Sequence, residues 1–430
     1  ILIGAFVFKK DLFIWNDKIV ITLIFSFFII VLVSTLIQFF FLKEYPDWIK
    51  AILYLIFFLF LMVIKTMVQK EVLKLKNFIY SSFFISAVIC LDIIIQYVLG
   101  YNLVGNSPVS FYSKTGQFIM SYYSGFFNKE LIAGGFILMF SVFGIFAVPI
   151  FLKNKKKEFI SIFFLAIFGL IIISLILSGN RMPVIMFLFF AVLLALIIKN
   201  KQYKVKFLIL SFCILLVATS IVLNSSSIKQ RFKTFFVGVP NPIVIISELK
   251  KEYPELEKYK NSGKRFHNIK KFENSENIKI TLPFFTGHIQ IFITSLDLII
   301  EKPVLGSGIK SFRNNCYRKV HLPNRVCENH PHNFYLDILS DTGILGLSLI
   351  VIPVLILLIN VYREYLKGDS RNNNISNWVY LAVILSVMIQ FFPFKSSGSF
   401  FSTFSSGYTF LILGFLLGLN EIRYNKANTP

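Results

Sequence analysis

Charge is scarce in this chain of 430 residues. Only 15% of them are Asp, Glu, Lys or Arg, and 22 acids face 44 basic residues. A soluble protein of this length covers its surface with charged side chains. Cysteine is nearly absent, at four residues, which excludes a small scaffold held by disulfides. The low polarity excludes disorder, and 22 Gly with 14 Pro exclude a collagen repeat. Apolar residues fill the space instead. They make up 56% of the chain, 51 of them are Phe, and the mean hydropathy is +0.71. A globular interior of this size cannot bury so much apolar surface. The composition therefore reads as an all-α, multi-pass membrane protein with about 10–12 spanning helices.

A spanning helix needs about 20 mostly apolar residues. Ten such stretches are found, at 19–42, 51–68, 78–99, 131–152, 159–177, 182–198, 207–223, 334–360, 377–395 and 403–419. The apolar stub at Ile1, ahead of Lys9 and Lys10, reads as the end of an earlier span. One alternating set of short loops carries 19 Lys and Arg, and the opposite set carries six. The positive-inside rule puts the rich set and both termini in the cytoplasm. Three regions follow: N-terminal helices over 1–223, a large periplasmic loop over 224–333, and C-terminal helices over 334–430. No fixed-period or inverted repeat is visible.

The net charge of +22 comes from 35 Lys and nine Arg. The joint excess of Lys, Asn, Ile and Phe resembles codon bias, and no nucleic-acid-binding fold is apparent. Position says more than the total. Six Arg (181, 231, 265, 313, 318, 325) and all five His (267, 288, 321, 330, 332) fall on the outward side. Arg is the better bidentate partner for phosphate, and His can accept a proton near neutral pH.

The most specific stretch is His332-Asn333, nine residues, Gly343, two residues, Gly346. Ahead of it lies Lys302-Pro303-Val304-Leu305-Gly306-Ser307-Gly308. Further upstream are Ser178-Gly179-Asn180-Arg181 and Gly125-Phe126-Phe127. Together these resemble the signature of the O-antigen ligase/polymerase family: its His-Asn-x9-Gly-x-x-Gly motif, its Pro-hydrophobic-Gly-x-Gly element, its Ser-Gly-Ser-Arg turn and its Gly-x-Phe element. Thr286-Gly287-His288 departs from that family, whose members often carry a basic residue there.

The resemblance implies an O-antigen ligase in the bacterial inner membrane. Such an enzyme moves a glycan from undecaprenyl diphosphate to a lipid A core sugar on the periplasmic face. In this role His332 is the base, and Arg181 binds the diphosphate with help from Arg265 and Arg313. Asn333, Gly343 and Gly346 are structural, with the two glycines one turn apart on a continuous helix. An O-antigen polymerase, using a second lipid-linked glycan as acceptor, is the alternative. A polysaccharide flippase or anion transporter is the alternative from another class. No cofactor or metal is expected, because the chain shows no Asp-x-Asp, no Gly-x4-Gly-Lys loop and no outward carboxylate pair at helical spacing. Cys316 and Cys327 read as a disulfide, with a zinc site from Cys316, His321, Cys327 and His330 as the rival. Asp92, an acid within a span, stands as a functional candidate. Lys65 is expected to snorkel to an interface.

Overall fold

The computed structural model describes residues 1–12, 16–42, 46–112, 118–152, 157–197, scattered positions between 205 and 220, 287–322, 325–367 and 377–428. Within these residues the chain is almost entirely helical. In order come α1 (Leu2–Val7), α2 (Lys18–Phe40), α3 (Trp48–Gln69) and α4 (Leu75–Leu99). The hairpin β1 (Val109–Tyr112) and β2 (Phe118–Tyr122) follows, then α5 (Ala133–Gly144), α6 (Ala147–Phe151), α7 (Lys157–Leu177) and α8 (Arg181–Ile197). The later elements are α9 (Gly287–Glu301), α10 (Phe334–Lys367), α11 (Asn377–Gln390) and α12 (Thr403–Asn428). The expected span 207–223 and Arg265 lie outside the described residues, apart from scattered positions of the former.

Among the described residues six helices are long and apolar enough to cross a membrane: α2, α3, α4, α5 with α6, α10 and α12. The apolar helices Phe163–Leu177, Arg181–Ile197 and Asn377–Gln390 are shorter. Large side chains such as Phe84, Phe151 and Leu196 stay exposed on the bundle. Lipid is the solvent that suits them. Inside, α12 packs on α3 and α10 on α2, around Phe27, Phe28, Tyr54, Phe400 and Phe410. The chain is an all-α polytopic membrane protein.

Two expectations about intramembrane charge change here. Lys65 does not snorkel: it is fully buried, within electrostatic reach of Glu421 and Asp11. In a low-dielectric core nearby acids compensate it better than a stretched stem does. Asp92 is also fully buried, and it serves a loop. Its carboxylate accepts from Leu103 N at 2.9 Å and Asn102 Nδ2 at 3.3 Å. That fixes the turn after α4, and the same carboxylate packs against Gly125 of the Gly-x-Phe element, where a Cβ would lie 2.6 Å from Oδ2.

Close helix approach depends on small residues. A Cβ on Gly144 of α5 would lie 2.7 Å from Phe83 Cα of α4. Backbone cannot yield as a side-chain tip does. Gly144→Leu is therefore expected to destabilise the bundle by about 1–3 kcal/mol, read as a lower thermal midpoint in detergent; an unchanged midpoint would contradict the packing.

Candidate active site

Three loops meet at one end of the bundle, and the helix break at Gly343 holds two of them. Gly343 has φ 64 and ψ −169, so α10 is a short N-terminal helix joined to a long one across a kink. The continuous helix expected over 334–360 is thus corrected. A break leaves backbone donors and acceptors unpaired, which is costly away from water. The Pro303–Gly308 segment pairs them. Ser307 N donates to Ser340 O and Gly308 N to Asp341 O, both at 2.8 Å. Ile344 N donates to Pro303 O at 2.8 Å.

Contact this close needs glycine on both sides. A Cβ on Gly343 would be 2.2 Å from Val304 O, and one on Gly306 2.5 Å from Asp341 C. At Gly346 the space is taken by Thr342 Oγ1, at 2.0 Å from the would-be Cβ. Helix α2 closes the joint from below with polar groups. Ser34 Oγ donates to Leu305 O at 2.6 Å, Gln38 Nε2 to Gly306 O at 2.9 Å, and Ile309 N to Thr35 Oγ1 at 3.0 Å.

The short N-terminal part of α10 carries two acids that the sequence reading overlooked, Asp337 and Asp341. They sit four apart, at helical spacing, and both are buried. They turn to different loops. Asp341 accepts from Lys310 N at 2.6 Å and Ser311 Oγ at 3.2 Å. Asp337 accepts from Phe400 N at 2.7 Å and Ser399 Oγ at 2.8 Å.

His332 stands immediately before this helix. Its φ of 57 lies in the left-handed region, which a side-chain-bearing residue keeps only where neighbours enforce it. Here Ser397 N donates to His332 O at 2.8 Å. Asn333 does two jobs. Its Oδ1 caps the helix by accepting from Tyr335 N (3.0 Å) and Leu336 N (3.2 Å), and its Nδ2 donates to Pro393 O at 2.7 Å. Lys395, buried in the same loop, places Nζ 2.7 Å from Gln390 Oε1 and 5.7 Å from the Phe334 ring. Burial lowers its pKa to about 8.

Three imidazoles gather around this point. The His330 ring centroid lies 4.1 Å from that of His332, and the His288 centroid 5.0 Å. Among the described residues no three His, Cys, Asp or Glu groups converge as metal ligands. Burial lowers the pKa of His332 to about 4, with His330 and His288 adding to the effect. His288 is lowered by loss of water and by the charge of Arg181. His330 is lowered by burial and by Lys310, against a backbone hydrogen bond at Ser397. The charge of Arg181 thus acts on His288, whose ring packs against His332.

Arg181 begins α8, where the helix end is positive. The turn before it is fixed by Gly179 at φ 74 and by Asn180. Asn180 accepts from Gly134 N at 3.0 Å and donates to Leu131 O at 2.9 Å. That anchors the Arg turn to the segment after the Gly-x-Phe element, whose Gly125 N donates to Gln96 Oε1 at 2.9 Å.

Arg313 lies 3.5 Å from Asp47, a residue ahead of α3 that also pairs with Lys50. Lys310, which the sequence reading did not single out, is the cation nearer the histidines; burial first, then Lys50, lowers its pKa. Cys316 and Cys327 are joined, with Cα atoms 5.0 Å apart. This leaves no thiolates for the zinc alternative.

A neutral imidazole beside a permanent cation at a helix N-terminus can take a proton while an anion is held close by. The arrangement is a candidate acid–base and anion-binding site in a membrane protein. Residues 166–351 match the family described as O-antigen ligase. The chain is similar to that family over this stretch, which contains Arg181, His288, His332 and both glycine elements. No curated protein matches it.

Neutral His332 persists down to its lowered pKa, so a base at this position works above about pH 4 and is lost only as pH falls through that value. The acid limb of kcat/KM is expected near 4 rather than at the ordinary 6.5; a limb at 6.5 would refute the environment described.

Proposed function

We propose that the protein is an O-antigen ligase. In this reading it joins a polysaccharide carried on undecaprenyl diphosphate to a lipid A core sugar, at the periplasmic face of the inner membrane. The observation that carries the reading is the packing of the His332 ring 5.0 Å from that of His288, on which the charge of Arg181 acts. His332 and Arg181 lie 151 positions apart in the chain. The family match over 166–351 supports the same chemistry.

The step is a displacement at the anomeric carbon. The acceptor hydroxyl oxygen forms the new bond, the bond to the carrier oxygen breaks, and the diphosphate leaves with the electron pair. His332 takes the hydroxyl proton. A base this weak takes the proton late, when the leaving group has already taken much of the charge. Arg181 and the N-terminus of α8 stabilise that charge. Arg265 and Arg313 remain candidates for completing the diphosphate site. No metal enters this scheme, since Arg181 supplies the positive charge.

The test combines purified protein, lipid-linked glycan and rough lipopolysaccharide without nucleotide. Glycan joined to lipid A core is expected. Longer carrier-linked polymer would instead identify a polymerase, and transport without joining would overturn the enzyme. His332→Ala, at matched protein level, is expected to lower transfer by about 10²–10⁴-fold; undiminished transfer refutes the proposed base. Chelator is expected to leave the rate unchanged, and loss of activity restored by a divalent cation would refute the metal-free scheme.

A further inference from the structure

The loop between α11 and α12 sets the position of His332, and Asp337 sets the loop. Asp337 lies on the first turns of α10, is 3% exposed, and touches neither imidazole by hydrogen bond. One of its oxygens, Oδ2, receives both Ser399 Oγ and Phe400 N. Two residues before Ser399, Ser397 N donates to His332 O. Four residues before that, Pro393 O accepts from Asn333 Nδ2. Tyr335 Oη also donates to Phe391 O, so the loop is tied to four residues of one short stretch, 332–337, and the tie at Ser397 is the one on the strained histidine itself.

We propose that Asp337 is a positioning residue for His332, acting through Ser399 and Phe400 on the loop that fixes the histidine backbone. The inference rests on the proposed role of His332 as base. A carboxylate is required because three donors face it, Ser399 Oγ, Phe400 N and Phe401 N, whereas the single oxygen of an amide accepts two. In Asp337→Asn the amide nitrogen brings hydrogens where only acceptors fit, so one donor loses its partner and the loop shifts. A displacement of about 1 Å at a reacting group is enough to cost on the order of 100-fold in rate.

The experiment uses full-length protein in the same transfer assay. Asp337→Asn is expected to lower kcat by about 10- to 100-fold and to leave KM for the lipid-linked donor within about twofold, as an interaction made only on the way to the transition state would. Loosening the loop admits water to His332, so the acid limb of kcat/KM is expected to move from near 4 toward 6.5. The titratable groups that act on the imidazole, His288 and His330, and those that act on these two in turn, Arg181, Lys310 and Glu328, are unaltered in this variant. Ser399→Ala should shift kcat and the limb in the same direction by less.

A fall in kcat with an unmoved acid limb would show a merely structural role and overturn the proposal. So would an unchanged kcat. If Asp337→Asn does not accumulate, Ser399→Ala decides, and an unmoved limb there overturns it as well. The failures are separable: full transfer by His332→Ala refutes the base itself, whereas loss in His332→Ala with a wild-type profile in Asp337→Asn refutes only the positioning role.

Discussion

The break in α10 at Gly343 is the constraint on which the rest of the site depends. A helix interrupted away from water leaves carbonyl and amide groups that must be paired within the protein. The backbone of 303–308 supplies those partners, and it can approach only because Gly306 and Gly343 lack side chains. The two glycine elements are therefore halves of one joint rather than separate features. Because the short helix 334–342 is set by this joint, so are the two residues before it, His332 and Asn333.

The polar groups of α2 belong to the same joint. Ser34, Thr35 and Gln38 are buried on a helix that is otherwise apolar. Each bonds to the 305–309 backbone. Unpaired in a low-dielectric interior they would be destabilising; paired, they fix the angle at which α2 meets α10. Asp341 extends the joint to Lys310 and Ser311, and Asp337 extends it to Ser399 and Phe400. One short helix thereby sets two loops that are about 90 positions apart in the sequence.

Hydropathy made the spanning helices legible, because each spans the bilayer by a run of apolar residues that no soluble fold explains. His332 and Arg181 were legible through short motifs. What was hidden depends on distant partners. Asp341-Thr342-Gly343-Ile344 reads as an ordinary stretch of helix, since Gly is tolerated in helices and the segment that pairs the break is 40 residues earlier. Asp337 and Asp341 passed unnoticed because they open an apolar run. Lys310 is one of 35 lysines, and only the fold brings it toward His330. Lys65 was misread because its compensating acids, Asp11 and Glu421, come from opposite ends of the chain.

The electrostatics of the histidine cluster connect binding with proton transfer. Burial holds His332 neutral, and the Arg181 charge holds down His288 beside it. The same charge that opposes a proton on the imidazoles favours an anion near the N-terminus of α8. In the proposed reaction a diphosphate seated there offsets that positive charge, which raises the proton affinity of the neighbouring imidazoles. The base then becomes stronger when the donor is in place and stays weak when the site is empty. In that reading a desolvated imidazole and a helix-terminal arginine couple the arrival of an anionic substrate to the strength of the base, with no moving part required.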